Sequence, residues 1–352
     1  MLKNLCALTT TLCACSKYEV GQPSFNGNSS RDPRSPALDV KISPDAHFGT
    51  ISSVSTGANE PNEDRVISFR AQVRDANGNT VNDLDVMGVF DGHGGRIVSE
   101  YVSRNFPIVF SNYLTQTTNV TEALLSTFHT LERSVRHLLF NDRGVAATYS
   151  DQRFNVGACG LVVVVIDDGI ISANIGDSRA LAVDDSHGYF RLNREHNSGK
   201  EDEQRELLLK FPDEKDVIRC YRRGVCYVKG RLQPTRSFGD FSLKERIPGL
   251  AFTQERSFNP PYISAVPEIL SYSKDNVKFI VLGSDGVWEL IDDKQMSPLV
   301  DELKGDATMI KDRALLKAWR QAGISEAQYS QLPGKRRRSI VDDLSVIVLQ
   351  LH

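Results

Sequence analysis

An α/β fold with a sheet core covered by helices is predicted by three observations on the 352-residue sequence. Short β-branched runs recur between turn signals, at least one long segment repeats its apolar residues at helical spacing, and the two kinds of pattern alternate along the chain. With 40% apolar and 25% charged residues the chain has material for a sizeable core, in one large domain or two average ones.

Taken in order, residues 17 to 44 are rich in Ser, Pro, Asn and Gly and carry few large apolar groups, which is too little burial to offset the entropy of ordering. A flexible leader is therefore expected over 1–45 and a folded domain over 46–352. Within the leader, Leu5 to Cys15 is a short, Thr-diluted apolar stretch after Lys3. It fits an unstructured tail, a weak signal peptide or a palmitoylated tip, and the absence of Gly after Met1 removes myristoylation. Strands are predicted at Met87–Phe90, Leu161–Ile166, Ile170–Ile175, Ala180–Val183, Val277–Leu282 and Ser345–Leu351, with Asp167-Asp168-Gly169 as a hairpin turn between the second and third. The clearest helix is Thr121 to Phe140, where Leu124, Phe128, Leu131, Val135, Leu138 and Leu139 share a face. Weaker helical patterns run over Arg96–Asn105, Glu201–Phe211 and Ala307–Gln321. Residues 190–234 read as a long charged insertion beside the strands, of the kind that governs substrates.

Forty-two Lys and Arg against forty-five Asp and Glu give a net charge of −3, which argues against a protein held on nucleic acid by charge. The longest apolar run, Leu161–Ile166, is too short to span a bilayer. Cys6, Cys13 and Cys15 crowd the N-terminus, while Cys159, Cys220 and Cys226 are scattered without metal-site spacing. Free thiols in a reducing, cytoplasmic compartment are expected, with membrane association or secretion through the N-terminal segment left open.

The informative residues are aspartates at strand ends. Asp91 follows Met87–Phe90 in Asp91-Gly92-His93-Gly94-Gly95, Asp285 follows Val277–Leu282 in Gly283-Ser284-Asp285-Gly286, and Asp342-Asp343 precedes Ser345–Leu351. An Asp-Gly after a strand is by itself a common turn. Several carboxylates crowded at strand ends, however, repel one another and lose hydration unless a hard cation such as Mg²⁺ or Mn²⁺ neutralises them. The glycines beside Asp91 and Asp285 would let backbone carbonyls and waters approach an ion.

Glu63-Asp64-Arg65, the Asp91–Gly95 segment, Gly176-Asp177-Ser178-Arg179, Ser284-Asp285-Gly286-Val287-Trp288 and Asp342-Asp343-Leu344-Ser345 occur in an order that resembles the metal-dependent protein serine/threonine phosphatases, the PPM or type 2C family. Thr235-Arg236-Ser237-Phe238-Gly239-Asp240 adds a further family-like segment, and the similarity covers roughly Phe48 to His352. The resemblance implies two antiparallel sheets packed as a sandwich with helices outside (α-β-β-α) and the metals at one end. It implies hydrolysis of phosphoserine and phosphothreonine in proteins by a water activated between two Mg²⁺ or Mn²⁺ ions. In that scheme Asp91 bridges the two ions and the Gly92 carbonyl is a ligand of one. Asp285 and Asp342 complete the other, Asp64 and Glu63 hold metal-bound waters, Asp177 belongs to a looser third ion, and His93 is the general acid.

Two departures stand out. No cation lies between Thr50 and Asp64, where the family places one to hold the phosphate, and the matching residue is Asn59; Arg65 and Arg236 are the candidate substitutes. Glu289 stands where a second Asp of the third site is expected, keeping the charge on a longer arm. Lys335-Arg336-Arg337-Arg338 is expected to be a solvated loop before the last strand, with a nuclear signal and a phosphosubstrate-facing patch as the alternatives. The expected partners are phosphorylated proteins met by a monomer. The alternative to an enzyme is a catalytically impaired relative that binds phosphoproteins or regulates, and a third reading is a two-metal hydrolase of small phosphate esters.

Overall fold

The computed structural model describes residues 38–352 except 59–60, 141–151 and 222–223. The leader up to residue 37, with its three cysteines, and Asn59 lie outside the described residues. Along the chain run β1 (Asp39–Ser43), β2 (Gly49–Thr56), β3 (Arg65–Arg74), β4 (Thr80–Phe90), β5 (Gly92–His93), α1 (Ile97–Leu114), α2 (Val120–Phe140), β6 (Gly157–Ala158), β7 (Gly160–Ile166), β8 (Gly169–Ile175), β9 (Arg179–Asp184) and β10 (Tyr189–Arg191). They are followed by α3 (Glu201–Lys210), β11 (Ile218–Cys220), β12 (Cys226–Val228), β13 (Phe238–Gly239), β14 (Glu268–Tyr272), β15 (Val277–Gly283), α4 (Asp285–Leu290), α5 (Asp293–Glu302), α6 (Ala307–Ala322), α7 (Glu326–Ser330), α8 (Gly334–Arg338) and β16 (Leu344–Leu351).

The strands form a six-stranded sheet in the order β1-β3-β4-β7-β8-β14 and a five-stranded sheet in the order β10-β9-β15-β16-β2. Every pairing in both is antiparallel. Strand periodicity explains how these sheets pack, because successive side chains point to opposite faces. In β4 and β7, Met87, Val89, Leu161, Val163 and Val165 meet Ile280, Leu282, Ile347 and Leu349 of β15 and β16 in the layer between the sheets. Their alternates in the first sheet, Val86, Val162 and Val164, face Val102, Phe106, Leu124, Phe128 and Leu131 of α1 and α2. In the second sheet Phe279, Val281, Val346 and Val348 face Val287, Met296, Val300, Ile310 and Ala314 of α4, α5 and α6. Both faces of each central strand are thus covered, which is why they read as continuous apolar runs. The expected α-β-β-α sandwich is the architecture found.

Each predicted strand lies within a strand here, and Asp167-Asp168 is the two-residue turn of the β7–β8 hairpin, where Ile166 pairs with Gly169. The first weak helix runs further than expected, to Leu114, passing through Pro107. A proline inside a helix removes one backbone bond. Burial of Phe106, Val109, Phe110 and Leu114 against the first sheet offsets that loss. Helix α6 starts where expected and ends one residue later, because Asp306 accepts a hydrogen bond from the Met309 N–H at one end and Gly323 adopts φ 68° at the other.

Two expectations are corrected. Asp39–Ser43, the end of the presumed leader, is strand β1 and pairs in register with β3. Cys220 and Cys226 are not free thiols; they are joined as a disulfide across the directly opposed pair of β11 and β12, while Cys159 is free and buried. The insertion at 190–234 carries structure of its own. Leu207, Val217 and Val228 pack with Leu243, Phe258, Tyr262 and Ile263 in a separate small core. Within it the Lys229 ammonium lies 2.9 Å from Glu214 and 2.8 Å from Asp216. Among the described residues no helix is long and apolar enough to cross a membrane.

Candidate active site

Strand register assembles the acidic residues. Arg65 pairs with Phe90, so Asp64 entering β3 lies beside Asp91 leaving β4. Gly160 pairs with Ile175, bringing Asp177 beyond β8 to the same edge. In the second sheet Gly283 pairs with both Val346 and Arg179, which sets Asp285, Asp342 and Asp177 around one end of the sandwich. The indole N–H of Trp288 donates to the carbonyls of Arg179 and Gly283 at 3.1 Å each and fastens α4, hence Asp285, to β9 and β15.

The carboxylates feel this crowding. Burial first, and then the charges of Asp285, Asp64 and Asp177, push Asp91 well above its ordinary range. Asp285 is raised in the same way by burial and by Asp177, Asp342, Glu289 and Asp64. Asp64, 2% exposed, is pushed up to about 7 by burial, with Asp343 and Asp342 adding to the rise and hydrogen bonds from Ser284 and Ser345 opposing it. Its Oδ2 is buried without a hydrogen-bond partner. Glu289, exposed one turn beyond Asp285 on α4, is raised by burial of its carboxyl and by Asp342 and Asp177.

The residues present suit hard divalent cations. Every donor is oxygen, one buried carboxylate oxygen of Asp64 has no hydrogen-bond partner, and burial and mutual charge disfavour the ionised forms of Asp91 and Asp285. Among the described residues no group of three or more His, Cys, Asp or Glu side chains is arranged so that it could by itself hold a metal ion. Mg²⁺ characteristically keeps several waters and takes only one or two carboxylates, so a closed cage is not required. Gly92 shows how tightly the chain turns here. A Cβ on it would lie 2.5 Å from the Glu63 carbonyl oxygen and 2.7 Å from Ser99 Oγ.

His93 stands apart from the other acids through a three-stranded sheet in the order β13-β6-β5. Gly157 of β6 pairs with His93 on one side and Gly239 on the other, and across it Nε2 of His93 lies 2.7 Å from Asp240 Oδ2. A side chain on Gly157 would strike Asp240 Oδ2 at 1.9 Å and His93 Nε2 at 2.6 Å, so the contact depends on glycine. Asp240, at φ 49°, also accepts from Ser237 Oγ at 2.6 Å. Burial pulls the His93 imidazole down, but the charge and hydrogen bond of Asp240, with Asp177 and Glu63, carry it above its ordinary value.

Neighbouring residues hold this frame. Asp343 accepts from the backbone N–H groups of Ala58 and Glu63, at 2.7 and 2.8 Å, tying the chain before β3 to the start of β16. Asp177 accepts from Asn197 at 2.6 Å and from the Cys159 thiol at 3.2 Å. The two candidate phosphate cations engage other groups. Arg65 donates to the carbonyls of Asn62 and Asp64 and pairs with Glu100, and Arg236 donates to the Val266 carbonyl. The basic run 335–338 is exposed at Lys335, Arg336 and Arg338, as expected, but it is helical and not a loop. It forms α8, and Arg338 lies 3.5 Å from Glu63 and 3.7 Å from Asp342. Sequence reading gave no individual role to Asp240, Asn197 or Cys159, named Asp343 only as one of a pair of strand-end carboxylates, and left Arg338 within an undifferentiated basic run.

A two-layer antiparallel sandwich with carboxylates and a held imidazole at one end is the arrangement to set beside known phosphatases, and comparison with known proteins places the chain among the protein phosphatases. Residues 52–322 match the family model described as Protein phosphatase 2C. The chain is 31% identical over 281 residues to "Probable protein phosphatase 2C 78" of Oryza sativa subsp. japonica, covering 75% of this chain and 70% of that protein. It is 30% identical to "Probable protein phosphatase 2C 42" of Arabidopsis thaliana, covering 82% and 76%. The fold matches the crystal structure of serine-threonine phosphatase 2C from Toxoplasma gondii with a TM-score of 0.59 at 15% identity, covering 90% of this chain and all of that one. The chain belongs to the protein phosphatase 2C family and is, by that membership, a protein phosphatase. The family model stops at residue 322, yet β16, preceded by Asp342, sits between β15 and β2 in the second sheet.

Proposed function

We propose that the chain hydrolyses phosphoserine and phosphothreonine esters in proteins with the help of Mg²⁺ or Mn²⁺. The observation that carries the reading is the convergence of Asp64, Asp91, Asp285 and Asp342 at one end of the sandwich, where burial and neighbouring acids raise the carboxyl groups of Asp64, Asp91 and Asp285. These four and the Gly92 carbonyl would hold two ions, with Glu63 holding water, and Asp177 with Glu289 would hold a looser third. Bound there, the ions supply charge for the phosphoryl oxygens and acidify a water.

The chain's own part is to bind and to move a proton. With Nε2 of His93 committed to Asp240, the proton for the departing serine or threonine oxygen sits on Nδ1, and the neighbouring acids favour the charged ring. Asp240 is the positioning residue, and Asn197, reaching Asp177 from the insertion, links the 190–234 lobe to the acidic edge.

Mn²⁺-dependent release of phosphate from a phosphothreonine peptide by the full chain tests this reading, with p-nitrophenyl phosphate and a sugar phosphate assayed beside it. The expected result is turnover of the peptide, abolished by chelation and restored by Mn²⁺. Peptide binding without turnover would instead establish a binding module, and turnover of the sugar phosphate alone would move the substrate class to small esters.

A further inference from the structure

We propose that the Cys220–Cys226 bond is a site of thiol–disulfide exchange with an external dithiol, and that its redox state governs how firmly the 190–234 lobe holds Asp177; the second half of the inference rests on the phosphatase reading above. The bond closes the end of the β11–β12 ladder, beside pairs that hold without it. Ile218 pairs with Val228 and Arg219 with Tyr227. Val217 and Val228 are buried in the small core with Leu207 and Tyr262, and Lys229 lies between Glu214 and Asp216. The two cysteines are only six residues apart, and so short a loop gains the least from cross-linking. The lobe therefore keeps its fold when the bond opens.

Access to the bond is one-sided, since Cys220 is exposed while Cys226 is buried. An incoming thiolate attacks the Cys220 sulfur, forms a mixed disulfide and releases Cys226 as the thiolate. The second thiol of the same reagent then attacks its own sulfur in the mixed disulfide and releases Cys220. Two electrons pass to the protein, the dithiol closes to a cyclic disulfide, and its two protons end on the two cysteines. What the bond secures lies on its buried side. The Cys226 carbonyl accepts from Ser198 Oγ at 2.7 Å, and Gln204 donates to the Cys226 sulfur at 3.4 Å and to the Ser198 carbonyl at 2.7 Å. Asn197, next to Ser198, donates to Asp177 Oδ2 at 2.6 Å. An unbroken run of contacts thus joins the bond to the acidic edge. Reduction removes the covalent tie between Cys226 and β11, so the support under Ser198 opens more readily and Asn197 holds Asp177 less firmly.

Two measurements on the full chain test this, each on protein oxidised or reduced with dithiothreitol and then desalted. Alkylation with mass mapping reads the exchange, and amide hydrogen exchange with initial rates on a phosphothreonine peptide in Mn²⁺ reads its consequence. Cys220 and Cys226 should convert as a pair, with a cooperative melting transition kept in both forms. In the reduced form, hydrogen exchange over residues 196–204 should quicken and kcat/KM should fall by about fivefold, the low end of coupling between sites. The double variant Cys220→Ser/Cys226→Ser should behave as the reduced form and ignore the dithiol. A bond that excess dithiol leaves closed in the folded chain, a reduced form that no longer melts cooperatively, unchanged hydrogen exchange over 196–204, an unchanged kcat/KM, or a double variant that still responds would each overturn the proposal. An oxidised chain that exchanges and loosens as expected but releases no phosphate in either form would sink the phosphatase reading and leave the exchange site standing.

Discussion

Replacing Asp285 by Ala is expected to slow phosphate release from a phosphothreonine peptide by about 10³-fold or more, since a metal's charge stabilisation amounts to several kcal/mol. Asp285 touches the problem from both sheets. It leaves β15, stands at the first turn of α4, and lies close enough to Asp91, Asp177 and Asp342 for their charges to act on one another. Its removal takes an oxygen ligand from the cluster and leaves the remaining acids a weaker hold on any cation. The fold should not suffer, because the Trp288 anchor and the pairing of β15 with β16 and β9 do not involve this carboxyl. The metal-free variant should melt no lower than wild type, since a repelling carboxylate is gone. Activity within about tenfold of wild type, a difference of only 1.4 kcal/mol, would refute the role.

His93→Ala is expected to cost about 10²- to 10⁴-fold on the phosphothreonine peptide, the usual worth of a positioned general acid, and far less on p-nitrophenyl phosphate. The asymmetry follows from the leaving group. A serine or threonine alkoxide is too basic to depart without a proton, whereas nitrophenolate departs unaided. Asp240→Asn should show the same asymmetry in weaker form, because the amide no longer charges the ring across the 2.7 Å contact. Equal losses on both substrates, accompanied by a fall in melting temperature, would mark His93 as structural. Asp240 keeps Ser237 as a partner in the Ala variant, which limits the cost of leaving its carboxylate buried.

The strands of the sandwich were legible where both faces are covered, because β4, β7, β8, β15 and β16 then carry adjacent apolar residues facing both ways. Strands with one polar face were not. In β3, Phe69, Ala71 and Val73 enter the core while Arg70 and Gln72 turn outward to Asp83, and β2 is mostly Ser and Thr. The acidic ligands were legible because each sits at a strand end in a short ordered motif. Partners gathered from afar were not. Asp240 reaches His93 across 147 residues of sequence, and Arg338 reaches Glu63 across 275. The Cys220–Cys226 bond likewise depends on the β11–β12 register, which spacing alone does not reveal.

The central claim is that one end of the sandwich binds divalent cations through carboxylates that hold protons in their absence. Calorimetric titration of the metal-free full chain with Mn²⁺, repeated in buffers of different ionisation enthalpy, tests it. Asp64 is raised to about 7, so the metal-free protein binds its proton up to near-neutral pH and sheds it as pH rises past that point, and Asp91 and Asp285 are raised well above their ordinary range by burial and by neighbouring acids. Mn²⁺ must displace the bound protons. The account predicts binding with proton release at pH 6, smaller release at pH 8, and binding severely weakened in Asp285→Ala. Binding with no proton release at either pH, or binding that Asp285→Ala leaves intact, would contradict it.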